Sequence, residues 1–122
     1  VTYRRVKHVI TENQRVLDTV DALGRGNLQA LGRLLQESHA SMRDDFEISV
    51  PELDLAVETA MRVGAVGSRM TGGGFGGAAI AIIAAERLQE LERAAMDAFS
   101  AAGFKAPRVF SVVPSTGAKR EI

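Results

Sequence analysis

The chain has 122 residues, which suits one domain with a single modest core, because a chain of this length removes roughly two-thirds of its unfolded surface from water on folding. Its 46% hydrophobic and 25% charged residues are typical of a folded globular domain and exclude the disordered class. The 15 basic and 15 acidic residues cancel, so we expect neither nucleic acid nor an anionic membrane surface as a partner.

The longest apolar run, residues 78–85, is much shorter than the ~18 residues of a membrane-spanning helix, so we predict that the chain does not cross a membrane. The lack of cysteine excludes a disulfide framework and a thiolate metal site, and it agrees with a cytoplasmic location. The sequence begins without Met and already in helical rhythm, which leads us to expect a piece of a longer protein.

The first 40 residues predict a helical hairpin. Apolar residues recur at helical spacing in the first helix, at Val6, Val9, Ile10, Val16, Leu17, Val20 and Leu23. Gly24 ends this helix, and Asn27 can cap a second one with leucines along one side. We expect the two helices to pair in antiparallel fashion.

The next segment predicts a loop, a strand and a helix. Residues 38–45 are polar and lack periodicity, whereas residues 46–50 alternate as a strand would, although a segment upstream could supply that sheet edge instead. Ser49 and Glu52 have the spacing of a capping box, with Pro51 in the first turn of a helix that ends near Gly64.

The second half predicts strands at residues 65–70 and 78–84, an amphipathic helix from Glu86 to Gly103, and a final strand at 108–113. We take the strand at 78–84 to be buried on both faces because it is apolar throughout. The predicted fold is α+β: a ferredoxin-like part at 46–113, with a split βαβ order and helices on one face of an antiparallel sheet. The helical hairpin, 1–40, precedes it and a polar tail, 114–122, follows.

Five of the 12 glycines lie within residues 72–77, in the sequence TGGGFGG that starts at Thr71. Such a cluster permits positive φ angles and lets consecutive N–H groups surround an anion such as phosphate. The alternative is a flexible hairpin loop. The flanking strands favour a loop that is held at both ends, with its amides oriented in advance.

Gly72, Gly74 and Gly77 also match the dinucleotide fingerprint G-x-G-x-x-G. That fingerprint requires a helix directly after the glycines and an acidic residue at the end of a second strand. Residues 78–84 read as a strand instead. Dinucleotide binding stays open as an alternative, because residues 78–101 are rich in alanine and would form one long helix in that case.

The segment GSRMTGGGFGG, residues 67–77, resembles the third signature motif of the GHMP kinases in its galactokinase form. The segments ESHASMRDDFEISVPELD at 37–54, RRVKHVITEN at 4–13 and PSTGA at 114–118 resemble the same family, so the resemblance covers nearly the whole chain. N-acetylgalactosamine kinases look similar in two of these segments, but residues 43–46 and 70–75 resemble the galactokinase form more closely. Ala78 departs from the family pattern, in which many members have cysteine.

The resemblance implies an α-D-galactose 1-kinase of the cytoplasmic Leloir pathway that uses ATP and Mg²⁺. It implies that the phosphate-cradling motif, the sugar signature and the catalytic groups lie in an N-terminal kinase domain that this chain lacks, so no residue here is assigned as catalytic. The ATP- and substrate-binding residues that it implies are Arg69, Thr71, Gly72, Gly73, Gly74, Phe75, Gly76 and Gly77. For Arg69, a solvated strand position is the alternative. A free-standing ligand-binding module is the alternative for the chain as a whole.

Other polar residues predict structural roles. His8 and His39 have no partner at metal-ligand spacing. Asp44 and Asp45 would suit Mg²⁺, but adjacent acids in a polar loop are more typical of turns and caps. We therefore expect no metal site in the chain.

Overall fold

The computed structural model describes residues 1–121, which form four α-helices and a two-stranded antiparallel sheet. The elements are α1 (Thr2–Gly24), α2 (Leu28–Ser41), α3 (Pro51–Val63), β1 (Gly67–Thr71), β2 (Ala78–Ile82) and α4 (Leu88–Ala102). A π-helical turn, Met42–Phe46, follows α2, and a 3₁₀ turn, Ala85–Arg87, precedes α4. The predicted α+β class is confirmed. None of the helices within residues 1–121 has the length and apolar character needed to cross a bilayer.

The helical hairpin is present, and its predicted cap is confirmed. The side chain of Asn27 accepts a hydrogen bond from the N–H of Ala30 at 3.0 Å, which satisfies a donor that the first turn of α2 leaves free. The two helices run antiparallel, since His8 near the start of α1 contacts Ser41 at the end of α2. The division of the chain into parts 1–40, 46–113 and 114–122 stays a prediction, and Ile122 of the tail lies outside the described residues.

Helix α1 packs onto the rest of the domain through its polar side. His8 and Ala22 are its buried residues. Near its start, Arg5 Nη1 donates to the carbonyl oxygen of Asp45 at 2.6 Å, and Lys7 pairs with the Asp45 carboxylate at 3.0 Å. The apolar side of α1 is exposed instead, at Val6, Val9, Ile10, Val16, Leu17, Val20 and Leu23.

The loop predicted at 38–45 and the strand predicted at 46–50 are both wrong. Helix α2 continues through Ser41, and the π-helical turn carries the chain on to Phe46, whose ring packs on that of His8 at 4.7 Å. Glu47 then has a positive φ of 61°, which ends the π-helical turn. The alternation of apolar residues here reflects packing and not pairing in a sheet. Ile48 and Val50 both pack on a core cluster formed by Met42, Leu53 and Met70.

Helix α3 begins at Pro51, as predicted, but the capping box does not form. Its N-cap residue, Val50, has no side chain able to accept a hydrogen bond, and the Ser49 hydroxyl donates to Oδ1 of Asp54 at 2.7 Å. The helix ends at Val63, followed by Gly64 with a φ of 107°, a conformation that favours glycine.

Strands β1 and β2 lie close to their predicted positions and pair from Gly67 with Ile82 to Thr71 with Ala78. One face of the sheet packs on α3 and α4 through two buried clusters, with Met70 in one and Ala81 against the other. Strand β2 is not buried on both faces, because Ile80 is 44% exposed and Ile82 36% exposed. The strand conformation of β2 also excludes the long helix on which the dinucleotide alternative depends.

Helix α4 buries Leu91, Ala95 and Phe99 and ends before Gly103, which has a φ of 75°. The final strand predicted at 108–113 is wrong, since these residues form no ladder with any part of the chain that the structure describes. A strand needs a neighbouring edge to satisfy its backbone groups, and here Phe110 is 65% exposed.

A close backbone contact joins α2 to β1. A Cβ atom on Gly32 would lie 1.9 Å from the carbonyl oxygen of Val66, and one on Gly67 would lie 2.7 Å from the Cα atom of Gly32. Both distances are shorter than any side chain tolerates, so these two glycines set the spacing between the helix and the strand.

Candidate functional site

Residues 72–77, here called the glycine loop, join β1 to β2. Gly72, Gly74, Gly76 and Gly77 all have positive φ, and so does Phe75 at 59°. At Gly74 the need for glycine is also steric, because a Cβ atom there would lie 2.4 Å from the carbonyl oxygen of Ile48. The glycines therefore allow the loop to lie directly against residues 47–50.

Phe75 connects the glycine loop to the domain. Its N–H donates to the carbonyl oxygen of Ile48 at 2.8 Å, while its side chain is 73% exposed. The middle of the loop is thus hydrogen-bonded to a neighbouring segment and does not hang free. Because the Phe75 amide is already engaged, any amide donors that the loop offers to a ligand are those of its glycines.

Much of the glycine loop has open space around it. A Cβ atom at any of four loop glycines would meet no atom within 4 Å, namely Gly72, Gly73, Gly76 and Gly77. Thr71 precedes them at the end of the ladder, paired with Ala78 and partly buried. Thr71 and the loop residues thus lie next to one another at the end of the β1–β2 ladder, and their assignment to ligand binding stays a prediction.

Arg69 lies on β1 near this loop, but its side chain is directed toward the helical hairpin. Its Nε donates to the carbonyl oxygen of Met70 at 2.8 Å, and Nη1 lies 3.4 Å from Oε1 of Glu12 on α1. The side chain is 27% exposed. In this arrangement Arg69 takes part in an intramolecular ion pair rather than being fully solvated.

Glu12 is the acidic centre of that polar contact. It accepts hydrogen bonds from the Ser38 hydroxyl and from Nε of Arg15, the latter at 2.8 Å. Burial acts to raise the pKa of Glu12, but these two hydrogen bonds and the charges of Arg15 and Arg69 outweigh it and lower the pKa below its usual value of 4.5. The carboxylate is therefore ionised near neutral pH and joins α1 to α2 and β1.

His39 is buried where α2, α3 and β1 meet. Its Nδ1 accepts a hydrogen bond from the N–H of Met70 at 3.1 Å, so this nitrogen carries no proton. The other nitrogen, Nε2, then carries the proton and donates to Oδ1 of Asp54 at 2.9 Å. The imidazole is thus neutral, with both nitrogens engaged by protein groups.

His8 contacts Ser41 and Phe46. Its Nδ1 lies 2.9 Å from the Ser41 hydroxyl, and its ring packs on Phe46. Burial lowers the pKa of His8 below 6.5, although the nearby Glu12 carboxylate acts to raise it.

Asp44 and Asp45, the two adjacent acids after α2, each form an ion pair with a basic side chain. Arg43 donates two hydrogen bonds to Asp44, at 2.8 and 2.9 Å, and this contact lowers the pKa of the Asp44 carboxyl. Asp45 pairs with Lys7. Within residues 1–121, no group of three or more acidic or histidine side chains is arranged to hold a metal ion.

Two supports of the glycine loop were not evident in the sequence, namely Ile48 and the pair formed by His39 and Asp54. A weak signal for His39 exists, since it lies four residues after Leu35 on the side of α2 that is largely buried. The contact with Ile48 has no local signal, because it joins residues far apart in the chain.

Comparison with known proteins relates this chain to sugar kinases. The family model described as GHMP kinases C terminal matches residues 19–102. A galactokinase of Streptomyces coelicolor is 56% identical over 117 residues, which cover 96% of this chain and 30% of that protein. A galactokinase of Mycobacterium tuberculosis H37Rv is 48% identical, with coverage of 94% and 32%. The chain thus spans about 30% of the length of the S. coelicolor relative.

Solved structures give the same relation. The crystal structure of Lactococcus lactis galactokinase complexed with galactose superposes with a TM-score of 0.79 and 40% identity, over 83% of this chain and 26% of that one. The crystal structure of L. major mevalonate kinase in complex with R-mevalonate gives a TM-score of 0.63 and 30% identity, over 80% and 28%.

Proposed function

The chain belongs to the GHMP kinases C terminal family and corresponds to that domain of galactokinases, and we propose that it serves a kinase that transfers the γ-phosphoryl group of ATP to the 1-hydroxyl of galactose. Such a kinase uses Mg²⁺ to neutralise the phosphates. It acts in the cytoplasm. The role of this domain is to bind and position, because phosphoryl transfer depends on several groups acting together and we assign the catalytic groups to the N-terminal domain.

The observation that carries this proposal is the glycine loop, which is hydrogen-bonded at Phe75 and has open space around four of its glycines. Backbone N–H groups in such a loop provide a concave surface for phosphate, and the missing side chains allow close approach. The residues assigned to ATP and substrate binding are Arg69, Thr71, Gly72, Gly73, Gly74, Phe75, Gly76 and Gly77. Arg69 contributes charge near the site while it remains paired with Glu12.

The partner of this domain is the N-terminal kinase domain of the same enzyme. Two exposed apolar surfaces support this: the outer side of α1, represented by Val16 and Val20, and the outer face of β2, with Ile80 and Ile82. Folded domains rarely expose such continuous apolar area without a partner. The N-terminal domain would cover these surfaces and supply the catalytic groups and the Mg²⁺ ligands.

Gly73 offers a direct test in the full-length protein. It does not have a positive φ, and a side chain there would enter the open space where we place the phosphates. We expect Gly73→Leu to lower kcat/KM for ATP by at least about 100-fold, with thermal stability unchanged, because one blocked phosphate contact costs about 3 kcal/mol of transition-state stabilisation.

Gly24→Leu is the matched control, since Gly24 also has open space around it but lies at the end of α1, far from the loop in sequence. Wild-type kinetics in Gly73→Leu would contradict the placement of ATP. A substrate series with galactose and N-acetylgalactosamine then defines the sugar, and we expect galactose to be preferred.

A further inference from the structure

Two separate contacts hold the glycine loop in place, and both lead to one partly buried carboxylate, that of Asp54. At the loop entrance, the N–H of Met70 donates to His39, and His39 donates to Asp54. At the middle of the loop, the N–H of Phe75 donates to the carbonyl oxygen of Ile48. Ser49, which follows Ile48 in the chain, donates its hydroxyl to Oδ1 of Asp54, the same oxygen that His39 contacts.

The buried position of these groups makes the arrangement stiff. Met70 is fully buried and His39 is 4% exposed, so water has little access to their hydrogen bond. The Asp54 side chain is 25% exposed and lies along a cleft of about 360 Å³ between α2 and α3. Hydrogen bonds shielded from water in this way are stronger than the same bonds in solvent.

The donor and acceptor roles in these contacts are also fixed. Because the Met70 amide is a donor, His39 must accept through Nδ1 and donate through Nε2, which requires an acceptor at Asp54. Ser49 requires an acceptor at the same atom. One oxygen of Asp54 therefore sets the position of the imidazole on one side and of residues 48 and 49 on the other.

We propose that His39 and Asp54 are positioning residues that fix the glycine loop in its ligand-binding shape, from its entrance at Met70 and from its middle at Phe75. They touch neither ATP nor sugar, and they act through the backbone of β1 and of Ile48. The proposal on loop shape stands on these contacts alone. Its consequence for catalysis rests on the proposed function.

The test compares Asp54→Ala with Asp54→Asn in the full-length protein, by hydrogen exchange of the loop amides and by steady-state kinetics. Asparagine keeps an acceptor oxygen for both His39 and Ser49, whereas alanine removes it. We expect Asp54→Ala to speed exchange at Phe75 by about tenfold while α4 keeps wild-type protection, because only a local opening is made easier.

Asp54→Asn should stay within about twofold of wild type in both measurements. Glu58→Gln is the control, because Glu58 lines the same cleft and is not one of the hydrogen-bonded groups. The kinetic expectation for Asp54→Ala is a rise of about tenfold in KM for ATP with a smaller change in kcat, as expected when binding geometry is lost before the chemical step.

Unchanged exchange at Phe75 in Asp54→Ala would overturn the proposal, and so would an equal acceleration in α4, which would indicate general destabilisation. Faster loop exchange together with wild-type kinetics would support the positioning role and contradict the placement of ATP at the loop. The two proposals therefore fail in different measurements.

Discussion

Helices α1 and α4 are both amphipathic in sequence, yet they use opposite sides to contact the domain. Helix α4 buries an apolar row at Leu91, Ala95 and Phe99. Helix α1 buries polar groups such as His8 and leaves its apolar row exposed, with Val20 at 65%. An apolar row thus predicts that a helix face is covered in the working protein, but it does not identify what covers it.

Breaking the α4 contact should give the largest effect. Phe99 is 6% exposed, and its ring packs edge-on against Phe104 at 5.9 Å. We expect Phe99→Ala to lower the free energy of unfolding of the 122-residue chain by about 3–5 kcal/mol, through lost burial and the cavity that remains. Urea unfolding followed by circular dichroism measures this loss.

Met96→Ala, on the exposed side of α4, is the matched control and should cost less than about 1 kcal/mol. Equal losses for the two variants would show that α4 does not pack through the side described.

Breaking the polar contact of α1 should give a smaller effect. Glu12→Ala removes the acceptor of Ser38 and the partner of Arg15 and Arg69, and it leaves partly buried donors unsatisfied. We expect a loss of about 2 kcal/mol in the free energy of unfolding. Asp21→Ala, which removes an exposed pair with Arg25, should change it by less than about 0.5 kcal/mol. A Glu12→Ala variant as stable as wild type would contradict the role of this polar side.

The same contact should make stability depend on pH through His8. Because burial lowers the pKa of His8 in the folded chain below 6.5, the unfolded chain binds the proton more tightly. The contribution of His8 to the free energy of unfolding is therefore complete above pH 6.5, and it decreases as the pH falls toward the pKa of His8 in the folded chain. We expect His8→Asn to flatten this part of the curve of unfolding free energy against pH, whereas an unchanged slope would mean that His8 is not responsible.

The exposed row of α1 should give the smallest effect in this chain. Leu17 is 59% exposed, so Leu17→Ala should change the free energy of unfolding of the 122-residue chain by less than about 0.5 kcal/mol. In the full-length protein, where we place the N-terminal domain against this side, the same change should cost about 2–3 kcal/mol. A similarly small effect in both proteins would contradict that docking.

The elements that the sequence predicts well are those whose signals are local. Asn27 and Gly103 mark helix ends through backbone conformations and side-chain groups that act within one turn, and the structure confirms both. Residues 46–50 do not form the predicted strand, because their alternation arises from packing on a cluster that includes Met70, which lies 20 or more residues away. A pattern of five residues carries no information about such a distant partner.

The candidate site also combines parts with a local sequence signal and parts that depend on distant residues. The glycine loop is visible in composition, since five of the six residues at 72–77 are glycine. The support from Ile48 and His39 depends on how α2, α3 and β1 meet, and this is a property of tertiary packing. The direction of the Arg69 side chain also depends on tertiary packing, because only the folded chain brings Oε1 of Glu12 to 3.4 Å from Nη1 of Arg69.

The contact between Gly32 and Gly67 has a mechanical consequence. Where two backbones touch without side chains between them, no rotamer can absorb a displacement. A shift of α2 against β1 is therefore not taken up by side-chain rearrangement at this point. This pair of glycines is a backbone contact without intervening side chains, through which a displacement of the helical hairpin acts on β1, the strand that leads into the glycine loop.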